Sequence, residues 1–238
     1  MISVILPSRG RPQRLTECCK SLKELAADPK NVEIVVRLDQ DDPHIYSEAF
    51  QQSDRDCSYL IGNRGSGYAR NDMMIEECAR WCHGDIIMQY VDTAIMRTKD
   101  WDRIMRDAAA TSNNGVFVMF PHVAGGAGYQ YCFPAISRKL YEICGCFCIG
   151  SDPSVDRCWE AFADNCKQCV IPVHVTVEHN ELRGSRQEDQ TAKETNEFYW
   201  ELTRNWNARN GRHREIGKKY ADIVRYYLED SGIQHPAQ

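Results

Sequence analysis

Gly84-Asp-Ile-Ile-Met-Gln-Tyr-Val-Asp-Thr-Ala-Ile-Met-Arg-Thr-Lys-Asp-Trp101 is the stretch from which the rest of the chain can be read. A short apolar strand, Ile86 to Met88, runs out into a polar break at Asp92. A second short apolar run, Ala94 to Met96, follows at once, and a helix starts at Asp100-Trp101. Open α/β sheets place their chemistry at the carboxyl ends of buried strands. Asp92 is an acid at such an end, so the neighbouring strand ends become the places to search.

The strands on either side share this form. Ile2 to Leu6 is a continuous apolar run closed by Pro7-Ser8-Arg9-Gly10-Arg11-Pro12, which reads as a buried strand and a sharp loop. Pro12 suits a first helical turn, and Leu15, Cys18, Cys19, Leu22 and Leu25 follow at helical spacing. Val32 to Leu38 is a second strand, ended by Asp39-Gln-Asp-Asp-Pro43, and Cys57 to Ile61 is a third. The Gly62–Gly67 loop leads to a helix from Tyr68 to Cys82. Beyond the opening stretch, Trp101 to Ala110 reads as helix and Gly115 to Phe120 as strand. This alternation predicts an α/β fold, a mainly parallel sheet with helices on both faces.

The second half is less regular. Ala124 to Gly128 is a glycine-rich loop, Cys132 to Ile136 a strand, and Ser137 caps a short helix through Ile143. A longer helix spans Asp152 to Ala163, and Cys169 to Val177 alternates as a strand. Glu181 to Glu194 is polar without an apolar period, and Phe198 to Leu228 reads as helix.

The bulk numbers narrow the classes. With 238 residues, 42% of them hydrophobic and 26% charged, the chain can bury an ordinary globular core. A net charge of -5 excludes a polybasic nucleic-acid binder as a whole, though not a local patch. No apolar run approaches the ~20 residues of a membrane span. The start, Met1-Ile-Ser-Val-Ile-Leu-Pro7, is a strand without a basic leader. With twelve cysteines it points to reduced thiols and a cytoplasmic setting.

Four polar clusters follow the four strands: Ser8-Arg9, Asp39, Arg70-Asn71 and Asp92. In a parallel sheet these ends share one edge, where the crevice is the default ligand site. Arginines beside carboxylates suit a metal-chelated nucleotide, since cations meet phosphate and acids meet metal or ribose hydroxyls. Surface Arg and Asp after a strand are ordinarily solvated loop residues. Their joint placement on one edge is what separates these from the ordinary case.

At this point the sequence resembles the family 2 glycosyltransferases of the GT-A fold. Ile2-Ser-Val-Ile-Leu-Pro-Ser-Arg-Gly-Arg-Pro12, Glu33-Ile-Val-Val-Arg-Leu-Asp39 and Gly67-Tyr-Ala-Arg-Asn71 resemble its opening motifs. Gly84-Asp-Ile-Ile-Met88, Asp92 and Lys99-Asp-Trp-Asp102 resemble the segment bearing its metal-binding DXD motif. Phe133 to Lys139, Tyr141-Glu142 and Gly145 are similar to its acceptor-side segment, and Asp156-Arg-Cys-Trp159 and Val177-Glu-His179 to its later landmarks.

The resemblance implies a Rossmann-like GT-A domain over 1–190, with a nucleotide-sugar half (1–120), an acceptor-side half (121–190) and a C-terminal helical extension over 191–238. It implies transfer of a sugar from a nucleotide-sugar, a UDP-sugar first, to an acceptor hydroxyl on a glycan or a modified nucleic-acid base. Pro7, Ser8, Arg9, Arg14, Asp39, Arg70, Asn71, Tyr90, Val91 and Asp92 would line the donor. Asp92 and His179 would hold Mn²⁺ or Mg²⁺. Asp156 would be the general base of an inverting displacement, with Asp152 one helical turn earlier as its reserve. The metal segment departs from the family pattern in offering one carboxylate, because Tyr90 and Thr93 stand beside Asp92.

Four other readings compete. Cys144, Cys146 and Cys148, with Cys158, Cys166 and Cys169, raise a zinc site, but paired C-x₂-C spacings are missing, and buried thiols acting as small apolar residues are the simpler account. The tail interleaves Arg204, Arg209, Arg212, Arg214, Lys218 and Lys219 with Trp200, Trp206, Tyr220, Tyr226 and Tyr227. That composition suits nucleic acid, while a solvated basic helix packed by its aromatics is the plainer reading. A catalytically silent binding protein on the same fold is the alternative from another class. A nucleotidyltransferase is disfavoured by the missing G-x-G-x-x-G loop after the first strand.

Overall fold

In the computed structural model of the chain, residues 1–45, 57–64, 70–124, 131–151, 153–179 and 206–231 are described. Asp152, most of the 124–128 loop, the polar segment 181–194 and the helix expected before Trp206 lie outside them.

The strands are β1 (Ile2–Ser8), β2 (Val32–Asp39), β3 (Ser58–Gly62), β4 (Ile86–Gln89), β5 (Ala94–Met96), β6 (Val118–Met119), β7 (His122–Ala124), β8 (Ala135–Ser137) and β9 (Thr176–His179). The helices are α1 (Pro12–Glu24), α2 (Asn71–Trp81), α3 (Trp101–Ala109), α4 (Arg138–Cys144), α5 (Val155–Asn165) and α6 (Trp206–Asp230). Among the described residues the main sheet runs β3-β2-β1-β4-β8-β6, and a smaller sheet runs β5-β9-β7.

β1 pairs in parallel with both β2 and β4, with Ile2 opposite Val32 on one side and Ile86 on the other. Each of these strands is buried on both faces, which is why its sequence is a continuous apolar run. Ile2, Val4 and Leu6 point with Ile34, Val36, Ile86 and Met88 into a core closed by Leu15, Cys18 and Leu22 of α1 and by Trp101 and Met105 of α3. Ile5, Val35 and Ile87 point the other way, onto Ile75 and Cys78 of α2 and Trp159 and Phe162 of α5.

The expected mainly parallel sheet is parallel through β3-β2-β1-β4. β8 then enters antiparallel to both β4 and β6. It starts at Ala135 rather than Cys132 because Pro134 brings no N–H to the ladder, while its carbonyl accepts from the Gln89 N–H at 3.0 Å. The strand expected over 169–177 is reduced to Thr176–His179 with an isolated bridge at Val118–Val170, and Pro172 interrupts it for the same reason.

α6 is seated on α5. A side chain on Gly217 would run into the Ala161 and Phe162 backbone, so glycine permits the close approach. Ala221, Val224 and Leu228 are buried there. Each of the twelve cysteines is a thiol, buried or half-buried, rather than half of a disulfide.

The stretch after Asp92 is held by a polar clasp. The Asp100 N–H donates to the Leu25 carbonyl at 2.7 Å, and Trp101 Nε1 donates to the Leu22 carbonyl at 2.9 Å. Asp102, fully buried, accepts from the Ala27 N–H at 2.6 Å, the Asp28 N–H at 3.0 Å and Arg106 Nη2 at 2.8 Å. Burial alone would raise this carboxyl, but those donors outweigh it and hold it below the usual carboxylate range.

Asp102→Ala strands two backbone donors and a guanidinium, so it is expected to cost about 2–4 kcal/mol in urea unfolding at neutral pH. A depressed carboxyl contributes stability above its unfolded pKa and loses it as pH falls through the folded value. The difference between wild type and variant should therefore shrink as pH drops below about 4.

Candidate active site

Because β1 lies between β2 and β4, their carboxyl ends open onto one edge. Ser8 ends β1, Asp39 ends β2, and Asp92 stands three residues beyond the end of β4. All three are nearly closed to solvent, at 5%, 4% and 2% exposure. Ser8 Oγ donates to Asp92 Oδ2 at 2.6 Å, a bond between residues 84 apart in sequence. Arg11 Nε reaches the same oxygen at 3.2 Å. The first loop thus turns a hydroxyl and a guanidinium onto the acid of the fourth strand.

Asp39 is held between two arginines. Arg37 Nη1 lies 2.7 Å from Asp39 Oδ1, and Arg9 Nη1 lies 3.3 Å from Oδ2. Arg9 also forks onto Asp41, with Nη2 to Oδ2 at 3.2 Å, and this hydrogen-bonded guanidinium holds the Asp41 carboxyl below its usual range. Asp42 accepts from the Gly10 N–H at 2.7 Å, fixing the turn after β1 against the turn after β2.

Arg37 was not among the residues expected to matter. It is 3% exposed, donates to the Leu38 and Asn63 carbonyls, and pairs through Nε with Glu77 of α2 at 2.7 Å. It ties β2, the end of β3 and α2 behind Asp39. Gly62 makes room for it, since a Cβ there would lie 2.7 Å from Arg37 Nη2. The sequence signal was a lone arginine inside the apolar run Val35-Val36-Arg37-Leu38, a cation that must find partners if the strand is buried.

The other expected residues surround this pair of acids. Arg70 is exposed at the N-terminus of α2. Asn71 Nδ2 donates to the Pro153 carbonyl at 3.2 Å, which joins the start of α2 to the start of α5. Asp156 is half-buried in the first turn of α5. Desolvation raises its carboxyl above the ordinary value, although Arg157 opposes the shift. Asp156 lies close enough to Cys132 to add to the burial that pushes this thiol up to about 12. Pro7 and Arg14 are half-buried beside the first loop.

Val91 presents its carbonyl to the Ala94 N–H and the Cys18 thiol. The Tyr90 ring is fully buried against Phe133, with centroids 5.0 Å apart, so its side chain is packing rather than crevice wall.

His179 reaches the same region from the small sheet, where it pairs with Ala94. Its Nε2 lies 3.1 Å from Thr93 Oγ1, and its ring meets Phe133 edge to face. Among the described residues no group of three or more His, Cys, Asp or Glu side chains is placed to hold a metal. The Asp92 carboxylate and the His179 ring, whose Nε2 lies against Thr93 Oγ1, would make at most a pair of ligands rather than a cage. Mg²⁺ commonly keeps one or two carboxylates and takes its other ligands from substrate phosphates and water, which such a pair allows.

The basic tail is partly integrated. On α6, Arg212, Arg214, Lys218, Lys219, Tyr226 and Tyr227 are exposed, while Tyr220 is half-buried beside the Cys146 thiol. No helix of the described residues is long and apolar enough to cross a membrane.

No family model and no curated protein matches the sequence. Solved structures do match the fold. Staphylococcus aureus TarS 1–349 in complex with UDP aligns with a TM-score of 0.57 at 13% identity, over 74% of this chain and 59% of that one. The same TarS fragment in complex with UDP-GlcNAc aligns at 0.55 and 11% identity, over 80% and 60%. The mannosyltransferase PcManGT from Pyrobaculum calidifontis, in complex with GDP-Man and Mn²⁺, aligns at 0.56 and 11% identity, over 99% of this chain and 76% of that one. The chain thus spans about three fifths of the TarS fragment. At these identities the likeness establishes the fold, and the fold is that of the GT-A glycosyltransferases.

Arg37→Met takes from the buried Asp39 the guanidinium that lies 2.7 Å from its Oδ1, so it is expected to cost about 2–4 kcal/mol in urea unfolding. The double variant Arg37→Met/Asp39→Asn should recover part of that loss, because the stranded charge goes with its partner.

Proposed function

We propose that the chain is a glycosyltransferase moving a sugar from a nucleotide-sugar donor to an acceptor hydroxyl with inversion at the anomeric carbon. The observation that carries this reading is the meeting of Ser8, Arg11 and Asp92 beside Arg9, Arg37 and Asp39 on the carboxyl edge of a GT-A sheet. Open α/β sheets bind nucleotides at such an edge. A UDP-sugar is the first donor to test, given that TarS, which shares the fold, is seen with UDP and with UDP-GlcNAc.

Asp39, with Ser8 and Arg9, faces the nucleoside, where a carboxylate can accept from ribose hydroxyls. Arg70 and the α2 N-terminus face the diphosphate, since a guanidinium and unpaired helical N–H groups both favour an anion. Asp92 and His179 would hold a divalent ion, Mn²⁺ or Mg²⁺. When bound, that ion supplies Lewis-acid stabilisation of the charge on the departing diphosphate.

Asp156 takes the acceptor proton. As the acceptor oxygen forms its bond to the anomeric carbon, the bond from that carbon to the diphosphate breaks on the opposite face. A carboxyl raised by desolvation suits the role, because it is a stronger base than an ordinary carboxylate. The exposed cations of α6 make a polyanionic acceptor worth including beside glycans. The single carboxylate of the metal segment favours a second reading, a binding protein that holds the nucleotide-sugar without turning it over.

Release of nucleoside diphosphate from UDP- and GDP-sugars with Mn²⁺ separates the two. Asp92→Ala is expected to abolish release. Asp156→Asn should lower turnover roughly 10²–10⁴-fold while leaving nucleotide binding near wild type. The acid limb of the wild-type rate profile should fall above the ordinary carboxylate value of about 4, because the base is inactive once protonated. Nucleotide binding without turnover on any donor would establish the silent binder, and absence of both would overturn the reading.

A further inference from the structure

The Asp92 carboxylate is already matched by a cation built into the chain. Arg11 Nε lies 3.2 Å from Asp92 Oδ2, and Ser8 Oγ donates to that oxygen at 2.6 Å. The residue is placed for this by its backbone. Arg11 is the N-cap of α1, its carbonyl accepts from the Leu15 N–H at 3.0 Å, and the preceding Gly10 is pinned to Asp42. Asp92 is almost fully buried, and its partner is four-fifths buried.

A divalent ion approaching Asp92 therefore meets a guanidinium within a few ångströms of the oxygen it would bind. In a partly desolvated site that like-charge repulsion opposes entry of the ion. Moving Arg11 aside without compensation would break its ion pair with Asp92 in a partly desolvated site, which is unfavourable. A diphosphate removes the obstacle, since it offers the guanidinium a new anionic partner of matching geometry while it brings oxygen ligands for the ion.

We propose that Arg11 acts as a resident counter-ion that keeps the metal ligand Asp92 closed until a nucleoside diphosphate arrives, so that ion and nucleotide enter together. This rests on the reading of the site as one for a nucleotide-sugar. It makes Arg11 a positioning residue that couples the two ligands, a role distinct from contact with the reacting atoms. Coupling of this kind is reciprocal, so the ion must strengthen nucleotide binding by the same factor that the nucleotide strengthens ion binding.

The test measures Mn²⁺ binding by titration calorimetry and by the electron paramagnetic resonance signal of unbound Mn²⁺, with and without UDP or GDP. Wild-type protein should bind Mn²⁺ weakly alone and on the order of tenfold or more tightly with the nucleotide. Arg11→Gln should bind Mn²⁺ alone on the order of tenfold more tightly than wild type, and the gain on adding nucleotide should largely vanish. Arg11→Lys keeps a cation in place and should retain the weak binding of Mn²⁺ alone, which distinguishes the effect of charge from a general disturbance of the loop. Tight binding of Mn²⁺ alone by wild type, or equal Mn²⁺ affinity in wild type and Arg11→Gln, would overturn the inference while nucleotide binding still upholds the site. Failure of both nucleotides to bind would overturn the site and the inference together.

Discussion

The parallel pairing of β1 with β2 on one side and β4 on the other governs the arrangement of this protein. It buries three apolar strands on both faces, so Ile2, Val4 and Leu6 enter one core and Ile5 the other. It also brings the ends of the three strands to one edge, where Ser8, Asp39 and Asp92 come together although they are distant in sequence. The fold and the site are therefore set by the same hydrogen-bonded ladder. A one-residue slip in it would exchange the two faces and part the hydroxyl from the carboxylate.

Bringing acids to a nearly closed edge creates a problem of charge. Isolated buried carboxylates are unstable, and each one here is answered by specific hydrogen-bond donors or paired cations. Asp39 stands between Arg37 and Arg9, Asp92 takes Ser8 and Arg11, and Asp102 takes two backbone N–H groups and Arg106. Their functions differ with what the donors are. Asp102 is matched mostly by fixed backbone and serves as a clasp between α1 and α3. Asp92 is matched by two side chains, one of them an arginine that a bound anion could draw away.

Much of the architecture was legible in the residues because burial on both faces leaves a plain mark. Continuous β-branched runs end where polar residues begin, so the strand ends at Ser8 and Asp39 and the polar break at Asp92 could be located without coordinates. Asp102 was legible as part of a motif, yet its role was not, since Lys99-Asp-Trp-Asp102 looks the same whether its acids face a ligand or a neighbouring helix turn. Tyr90 belongs to the same class, for its ring packs on Phe133 while the pattern around Asp92 would equally have allowed it to face the crevice. The shortened β8 and β9 follow from Pro134 and Pro172, which interrupt ladders that the apolar pattern alone would extend.

By itself the sequence determined the alternation of strand and helix, the edge on which polar groups collect and the acids that end the strands. These depend on local periodicity and on the termination of apolar runs, which neighbouring residues carry. Only the tertiary structure decided which groups meet across the fold: that Arg37 is tied to Glu77 and the Asn63 carbonyl, that Arg11 meets Asp92, and that β8 enters antiparallel. The physical reason is one of distance along the chain. A contact between residues some 80 positions apart is fixed by strand register and by the space left at positions such as Gly62, and no local pattern records either.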